Sequence, residues 1–445
     1  MSETEDNEYK VYSRRWGILA IFVLFCVCNA IQWIQYSVIV HIIAFFYNVE
    51  TYAVDWTSLI YMLTFVVFIL PATWLLNIKG LRLTVTLGMI GNCLGAWIKV
   101  LSVHPDRFWV TFLGQTIVSI SQVYVMSTPS PVAATWFGPS QVATACAIGV
   151  IGLQFGNALG FLLPPLIVYE SPNKYEIEQQ LYIMFGSFAA LNTIVLLLVL
   201  VFFRSAPPTP PCKVQSEKLQ MPAESAKDFA KSVWRILKNW QFLILFVAYG
   251  ISQGVFYAIL TFLTQLIRNN YYYNGASIDA GYIGVTMMLV GILGSLVCGY
   301  ILDRTRRYKE CCLVVYFLSA LAMIAFTLAL GKVEIINVYI ICGIIGFILI
   351  GYLPLGYEYA AELTYPESEA TSACVLALGS QIFSFIFTLV YGIIFDELGD
   401  DVANWTMSGS LLVGTLLSLS NKSQYKRQEA GKRQFNQVTN QPERY

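Results

Sequence analysis

The sequence predicts an all-α integral membrane protein with twelve transmembrane helices in two six-helix halves. Of its 445 residues, 57% are hydrophobic and only 12% are charged, whereas soluble domains contain about 25% charged residues. The mean hydropathy is +0.61. Twelve apolar stretches each approach the roughly 20 residues that a helix needs to cross the hydrocarbon core of a bilayer. A soluble chain with so few charges could not cover its surface.

The twelve predicted spans begin where the sequence changes from polar to apolar. The first and seventh spans are the longest and run to about Phe46 and Arg268. Most of the connections between spans are short. The spans begin near Trp16, Trp56, Leu81, Phe108, Val142, Leu181, Gln241, Asp279, Cys311, Ile335, Glu369 and Val402.

One long polar segment divides the spans into six and six. It carries four prolines between residues 207 and 211 and many basic residues, so its proline-rich part should stay extended. Residues 223–237 are expected to form a surface helix. The predicted organisation is a cytoplasmic N-terminal tail (1–15), an N-terminal six-helix bundle (16–203), a cytoplasmic linker (204–240), a C-terminal six-helix bundle (241–420) and a cytoplasmic C-terminal tail (421–445).

Basic residues predict the orientation of the chain in the membrane. They collect at Arg14 and Arg15, in the linker and around Arg304, whereas loops on the other side contain acids such as Asp55 and Glu170. Because cytoplasmic loops are enriched in lysine and arginine, both termini and the linker are expected in the cytoplasm. The segment between spans ten and eleven departs from this pattern. It is predicted to be cytoplasmic but contains Glu358, Glu362, Glu367 and Glu369.

Composition argues against several classes of function. Lys+Arg and Asp+Glu balance at 27 each, so no positive charge excess favours nucleic acid. The chain has two histidines, and its cysteine spacing matches no zinc motif. No catalytic triad or phosphate-binding loop is evident. The sequence therefore predicts that the protein is not an enzyme and that it has no catalytic residue, cofactor or metal site.

Polar and aromatic side chains share one face of the first span. Asn29, Gln32, Trp33 and Tyr36 recur at i, i+3, i+4 and i+7, which places them on one side of a helix. An aromatic ring flanked by amides at membrane depth suits the binding of a small polar or cationic solute. The alternative is that the ring packs against a neighbouring helix and its polar neighbours are incidental.

Three further spans have comparable polar stripes. Each residue alone could equally form hydrogen bonds between helices. Four stripes on helices expected to meet at the centre of the protein favour a shared cavity over four separate packing contacts. The three stripes are Gln115, Ser119 and Gln122 in span four, Gln154 and Asn157 in span five, and Tyr249, Gln253 and Tyr257 in span seven.

Six spans, a basic linker and six more spans resemble the major facilitator superfamily, in which two halves rock about a midplane site. Between spans eight and nine, Gly299–Arg307 (GYILDRTRR) resembles the short loop motif of that superfamily. The resemblance implies a cytoplasmic gate formed by Asp303 and Arg304 with the acidic partners Glu358 and Glu362. Such a gate would explain the acidic segment before span eleven. A generic basic inner loop is the alternative.

Longer motifs in both halves narrow the resemblance to one family. They are similar to motifs of the feline leukemia virus subgroup C receptor-related (FLVCR) transporters, over about residues 14–399. The motifs are Asn29–Ser37 (NAIQWIQYS), Pro71–Leu76 (PATWLL), Asn92–Lys99 (NCLGAWIK), Trp136–Pro139 (WFGP), Gly160–Pro165 (GFLLPP), Gly254–Tyr257 (GVFY), Gly351–Gly356 (GYLPLG) and Glu362–Glu369 (ELTYPESE).

The resemblance implies a substrate and a site. Members of this family are described as choline and ethanolamine facilitators of the plasma membrane, and earlier as heme exporters. The family pattern implies an aromatic pair around the ammonium group at Trp33 and Tyr257, and glutamines near the polar end of the substrate at Gln154 and Gln381. A quaternary ammonium has no N–H to donate, and aromatic faces attract it by up to about 2 kcal/mol when desolvated.

The scarcity of buried acids predicts how transport is driven. Carriers coupled to protons or sodium place a carboxylate at depth. Here Glu358 is the one acid clearly inside a predicted span, close to its cytoplasmic end. The sequence therefore predicts a facilitative, alternating-access uniporter for a small cationic solute, choline or ethanolamine. We expect a monomer in the lipid bilayer of the plasma membrane.

Two alternative functions stay open at this stage. One is heme export, which is disfavoured because His41 lies at the outer end of span one and His104 in an outer loop, although central thiols could serve as heme ligands. The other is a non-transporting receptor or scaffold, which would have no use for central polar stripes.

Overall fold

The computed structural model describes residues 11–138, 141–209, 226–271, 273 and 275–421. Residues 1–10, 210–225 and 422–445, which belong to the predicted tails and linker, lie outside this part of the chain. The described residues form α-helices and no strand. The helices are α1 (Arg14–Val38), α2 (Val40–Tyr47), α3 (Thr51–Lys79), α4 (Leu81–Leu101), α5 (Phe108–Ser127), α6 (Pro129–Trp136), α7 (Val142–Ile167), α8 (Lys174–Phe202), α9 (Ala226–Lys238), α10 (Trp240–Asn270), α11 (Ala276–Thr305), α12 (Tyr308–Ala329), α13 (Ile335–Thr364), α14 (Glu369–Leu398) and α15 (Asp400–Ser420).

Twelve helices in the described residues are long and apolar enough to cross a membrane, which confirms the predicted number of spans. They are all of these helices except α2, α6 and α9. Two of them begin well before their predicted starts. Helix α3 starts at Thr51 rather than near Trp56, and α8 starts at Lys174 rather than near Leu181. The Asn173 side chain caps α8 by accepting a hydrogen bond from the backbone N–H two residues later. Polar residues therefore extend this helix beyond its apolar segment.

The first span is interrupted near one end. The sequence predicts one helix to about Phe46, but α1 ends at Val38 and α2 follows after Ile39, whose φ of −117° and ψ of 31° are not helical. The break falls in a run of β-branched residues, Val38–Val40, whose side chains restrict helical rotamers. Asn48, with a left-handed φ of 54°, ends α2.

The described residues divide into two compact units. The first comprises residues up to 209 together with 260–289, and the second comprises 226–259 together with 290–421. Helices α10 and α11 therefore contribute to both units. The surface helix predicted for residues 223–237 is confirmed as α9, in the second unit; Ile236 is buried and Trp234 is 62% exposed.

Glycines let helices approach closely in the first unit. A Cβ at Gly156 of α7 would lie 2.7 Å from the Cβ of Ala30 and 2.8 Å from the carbonyl oxygen of Val27, both on α1. A Cβ at Gly95 of α4 would lie 2.5 Å from the carbonyl oxygen of Gly114 on α5. In a membrane such small residues replace hydrophobic burial as a source of helix association, because backbones can pack at short range.

An ionic cluster joins four segments of the first unit at the side predicted to be extracellular. Glu170, in the loop after α7, accepts from His41 of α2 over 2.9 Å between Oε1 and Nε2. The same oxygen accepts from Nη1 of Arg268 on α10. Arg268 also donates to Oγ of Ser277 on α11 over 3.1 Å. Lys174, the nearby cation on α8, donates to the Phe46 carbonyl instead.

The protonation state of this cluster follows from its contacts. Burial and the positive charge of Arg268 lower the pKa of His41 to about 4. The negative charge of Glu170 acts in the opposite direction, but Glu170 also pairs with Arg268. Although burial acts in the opposite direction, the hydrogen bond from Arg268 holds the pKa of Glu170 below its ordinary value. The closed cluster therefore contains neutral His41 and ionised Glu170 at neutral pH.

Glycine substitutions should test the close contact between α1 and α7. Gly156→Ala should destabilise the protein by about 1–3 kcal/mol, because the added methyl overpacks a backbone contact. Gly186 of α8 has no atom within 4 Å of its Cβ position, so Gly186→Ala is the matched control and should leave stability unchanged or raise it. Thermal unfolding of the detergent-purified protein gives the comparison, and equal melting temperatures for the two variants would contradict the packing argument.

Acidification should loosen the ionic cluster. Since free imidazole titrates near pH 6.5, a pKa of about 4 in the closed cluster means that protonation favours separation. The stabilisation is complete above about pH 6.5 and is lost as the pH falls toward 4. The equilibrium constant for opening of the cluster should be about tenfold higher at pH 5.5 than at pH 7.5.

Hydrogen exchange of residues 260–280 at pH 7.5 and pH 5.5, corrected for the intrinsic rates, measures this opening. His41→Gln keeps a hydrogen-bonding side chain without the titration and should abolish the pH response. An equal response in wild type and His41→Gln would show that another group is responsible.

Candidate functional site

Amide side chains of α1 are engaged in a buried network in the first unit. Asn29 donates to Oδ1 of Asn92 over 3.0 Å and to the Val118 carbonyl over 3.2 Å. Gln32 donates to the same Asn92 oxygen over 3.2 Å, and Asn92 in turn donates to Asn192 over 2.6 Å. Asn29 and Gln32 are at most 1% exposed. These two predicted site residues therefore link α1 to α4 and α5, and Asn92 continues the network to α8.

The aromatic residues of the α1 stripe lie beside this network. Trp33 is 3% exposed and Tyr36 is fully buried. The Tyr36 hydroxyl lies 2.7 Å from Oγ1 of Thr111 on α5, and its ring packs 5.7 Å from that of Phe185 on α8. Tyr36 is thus held by the first unit itself, and the network fixes the helix turn that presents Trp33.

Helices α5 and α7 present the remaining predicted amides of the first unit. Gln154 and Asn157 are half-buried on one face of α7, where Asn157 donates to Gln154 over 3.1 Å. Gln122 of α5 is 9% exposed and forms no hydrogen bond among the described residues. These amides are candidate hydrogen-bonding partners for a ligand, whereas Asn29 and Gln32 already donate to neighbouring helices.

In the second unit, Tyr257 of α10 stands out by its exposure. Every other residue from 248 to 267 is buried, whereas Tyr257 is only half-buried. Its hydroxyl shares a hydrogen bond with Gln381 of α14, which is 6% exposed. The structure thus brings Tyr257 and Gln381 together, and part of the Tyr257 side chain faces open space.

Gln253 lies one turn before Tyr257 on α10. It is 3% exposed, and its Nε2 has no acceptor within the part of the chain that the structure describes. A buried amide donor without a partner costs free energy unless a ligand or water satisfies it. Gln253 is therefore a donor available to a solute on this face of α10.

The residues of the predicted cytoplasmic gate lie near the ends of α11 and α13. Asp303 and Arg304, at the end of α11, are exposed, and Nε of Arg304 donates to the Tyr300 hydroxyl over 3.3 Å. On α13, Glu358 is exposed and Glu362 is 1% exposed. The role of these residues in a gate stays a prediction.

The acidic segment before α14 has a partner that the sequence did not suggest. Glu367 pairs with Arg235 of α9 over 2.6 Å and accepts a hydrogen bond from Ser232. The hydrogen bond from Ser232 and the Arg235 charge hold the pKa of Glu367 below its ordinary value. The sequence predicted a surface helix over residues 223–237, but not the acid that this helix binds.

One acidic residue was assigned wrongly from the sequence. Asp55 is not in a loop but in the second turn of α3, is 3% exposed and accepts a hydrogen bond from Gln265 of α10 over 2.9 Å. The helix begins before the apolar run, so a polar residue near its start becomes part of the bundle.

Among the described residues, no group of three or more His, Cys, Asp or Glu could hold a metal ion.

Comparisons with known proteins agree with this architecture. The model of the Major Facilitator Superfamily matches residues 20–388. The choline/ethanolamine transporter flvcr2a of Danio rerio is 44% identical over 421 residues, which cover 95% of this chain and 89% of that protein. The choline/ethanolamine transporter FLVCR2 of Homo sapiens is 40% identical, with coverages of 95% and 80%. FLVCR1 of Felis catus, also named a choline/ethanolamine transporter, is 42% identical, with coverages of 93% and 74%.

Solved structures support the fold alone. A D-xylose-proton symporter matches with a TM-score of 0.70 at 10% identity, covering 93% of this chain and 99% of that one. A bacterial homologue of the lysosomal transporter Spinster matches with a TM-score of 0.67 at 16% identity, covering 94% and 97%.

With its helices, its family match and these relatives, the chain belongs to the FLVCR family of the major facilitator superfamily and is a multi-pass membrane transporter, not an enzyme.

Proposed function

We propose that this protein is a facilitative transporter of choline and ethanolamine that binds the cationic head group through the aromatic rings of Trp33 and Tyr257. The observation that carries the proposal is the environment of Tyr257, the single incompletely buried side chain of residues 248–267. Relatives at 40–44% identity are named choline/ethanolamine transporters, which supports the same substrate class. Residues 16–203 and 241–420 act as the two halves that alternate access.

The chemistry of the two rings suits an ammonium ion. An aromatic face attracts a cation through the ring quadrupole and needs neither a hydrogen on the nitrogen nor a buried counter-charge. Trp33 is presented by α1 and Tyr257 by α10, the first and seventh spans, which occupy equivalent positions in a two-half transporter. The hydrogen bond between Tyr257 and Gln381 fixes the phenol ring and leaves its face to the solute.

The amides divide into two roles. Gln154, Asn157, Gln122, Gln253 and Gln381 can accept from or donate to the hydroxyl of choline or the amine of ethanolamine. Gln253 has a buried donor to offer. Asn29, Gln32 and Tyr36 already form hydrogen bonds to neighbouring helices and shape the site behind Trp33.

The positions of acidic residues support uniport. Every Asp and Glu in the described transmembrane helices lies within two turns of a helix end, including Asp55 and Glu362. No carboxylate thus sits in the middle of a described span, where coupled carriers place one. Heme export gains no support, since His41 belongs to the ionic cluster and the side chain of His104 is 51% exposed.

The positive-inside pattern supports cytoplasmic termini, and we extend the proposal to the plasma membrane and to a monomeric transporter. The gate residues Asp303, Arg304, Glu358 and Glu362 would then lie at the cytoplasmic side.

Removing either ring should weaken choline transport. Trp33→Ala and Tyr257→Ala should each lower the ratio of maximal uptake to KM by on the order of 10-fold to 30-fold, the loss expected for a desolvated cation–π contact. Radiolabelled choline uptake, normalised to surface protein, measures this, with ethanolamine and heme as competitors.

Tyr257→Phe is the matched control, because it keeps the ring and removes the bond to Gln381. It should retain most of the uptake that Tyr257→Ala loses. Undiminished uptake in Trp33→Ala and Tyr257→Ala would refute the proposed site, and competition by heme but not by ethanolamine would favour the heme alternative.

Choline movement should be independent of ion gradients. Cells preloaded with radiolabelled choline should release it at an unchanged rate after treatment with proton and sodium ionophores, because no carboxylate at depth is available for coupling. Efflux abolished by both treatments would rule out uniport.

A further inference from the structure

Lys99 is a buried lysine that the transport proposal does not use. It lies two residues before the end of α4, so its flexible side chain could reach the membrane–water interface, as lysines near helix ends usually do. Instead it is 1% exposed. A buried ionisable residue in a transmembrane segment points to a function unless its partners explain it.

The partners of Lys99 are neutral. Its Nζ donates to Oε1 of Gln115 on α5 over 2.7 Å and lies 5.7 Å from the centre of the Tyr36 ring. Among the described residues it forms no ion pair. Burying a lysine without a paired carboxylate is costly and adds little stability. The contact between Lys99 and Gln115 therefore points to a functional role.

Gln115 continues the connection to α1. Its Nε2 donates to the backbone carbonyl of Gln32 over 2.8 Å and to that of Thr57 on α3 over 3.3 Å. Backbone carbonyls only accept, and a lysine only donates. The amide of Gln115 can therefore satisfy all three partners in one orientation, with its oxygen toward Lys99 and its nitrogen toward α1 and α3.

The Gln32 carbonyl belongs to the peptide bond that connects Gln32 to Trp33. Lys99 thus anchors the oxygen end of an amide whose nitrogen binds the backbone carbonyl next to the proposed cation-binding ring. Direct contact of Lys99 with the solute is disfavoured, because an amine that carries a positive charge repels a cationic head group.

We propose that Lys99 is a positioning residue for the cation site, acting through Gln115 on the backbone at Trp33. The inference rests on the proposed function for its transport readout, but the mechanical link between Lys99 and α1 can be measured without any substrate. A methionine would fill a similar volume but leave the Gln115 oxygen without its donor, so the amide would be held only by its two contacts with backbone carbonyls.

Choline kinetics of Lys99→Met, Gln115→Leu and the double variant test the link. Each single variant should raise KM by about tenfold, the size expected for losing one hydrogen bond in a low-dielectric site. The maximal rate per surface transporter should change less than KM. The double variant should be no worse than the worse single variant, because both act through one amide.

Hydrogen exchange of residues 31–37 gives the substrate-free readout. Lys99→Met should accelerate exchange there relative to wild type. Tyr391→Phe, which removes a buried hydrogen bond to Asn404 in the second unit, is the matched control and should leave residues 31–37 unchanged.

The outcomes separate this inference from the proposed function. Additive KM effects in the double variant, an unchanged KM in Lys99→Met, or unchanged exchange at residues 31–37 would overturn the positioning role. If Trp33→Ala and Tyr257→Ala transport choline normally while Lys99→Met accelerates exchange at residues 31–37, the link to α1 stands and the substrate proposal fails.

Discussion

Polar groups inside a bilayer must find their hydrogen-bond partners within the protein, because hydrocarbon offers none. This constraint organises the first unit. Asn92 accepts from Asn29 and Gln32 and donates to Asn192, so three helices share one amide. Close glycine contacts bring the helices near enough for these short side chains to meet, and Gly156 against α1 is the clearest example. The polar interior therefore holds the helix that presents Trp33 in a defined position.

The same constraint marks the candidate site by exception. Gln253 has a buried donor without a partner in the described part of the chain, and Tyr257 is only half-buried on a segment that is otherwise buried. Gln154 and Asn157 are half-buried and bond to each other. Gln253 and Tyr257 therefore offer a solute a hydrogen-bond donor and a partly open ring on one face of α10.

Charged groups follow a related division. Glu170 with His41 and Arg268, and Glu367 with Arg235, pair at helix ends, where water lowers the cost of ionisation. Both carboxylates have pKa values below their ordinary range because cations or hydrogen-bond donors contact them. Lys99 departs from this pattern, since it is buried close to a helix end and contacts an amide rather than an acid.

Sequence alone determined the twelve spans, the linker helix and the polar stripes, because hydrocarbon thickness and helical periodicity are local properties that composition and residue spacing record. The family followed instead from the resemblance of longer motifs. The sequence did not separate residues of one stripe. Asn29 and Trp33 share a face, yet Asn29 donates hydrogen bonds to α4 and α5, and Gln115, expected in a cavity, accepts from Lys99. Asp55, expected in a loop, is buried against Gln265. Only the tertiary structure decided these cases, because periodicity specifies the face of a helix but not the neighbour packed against it.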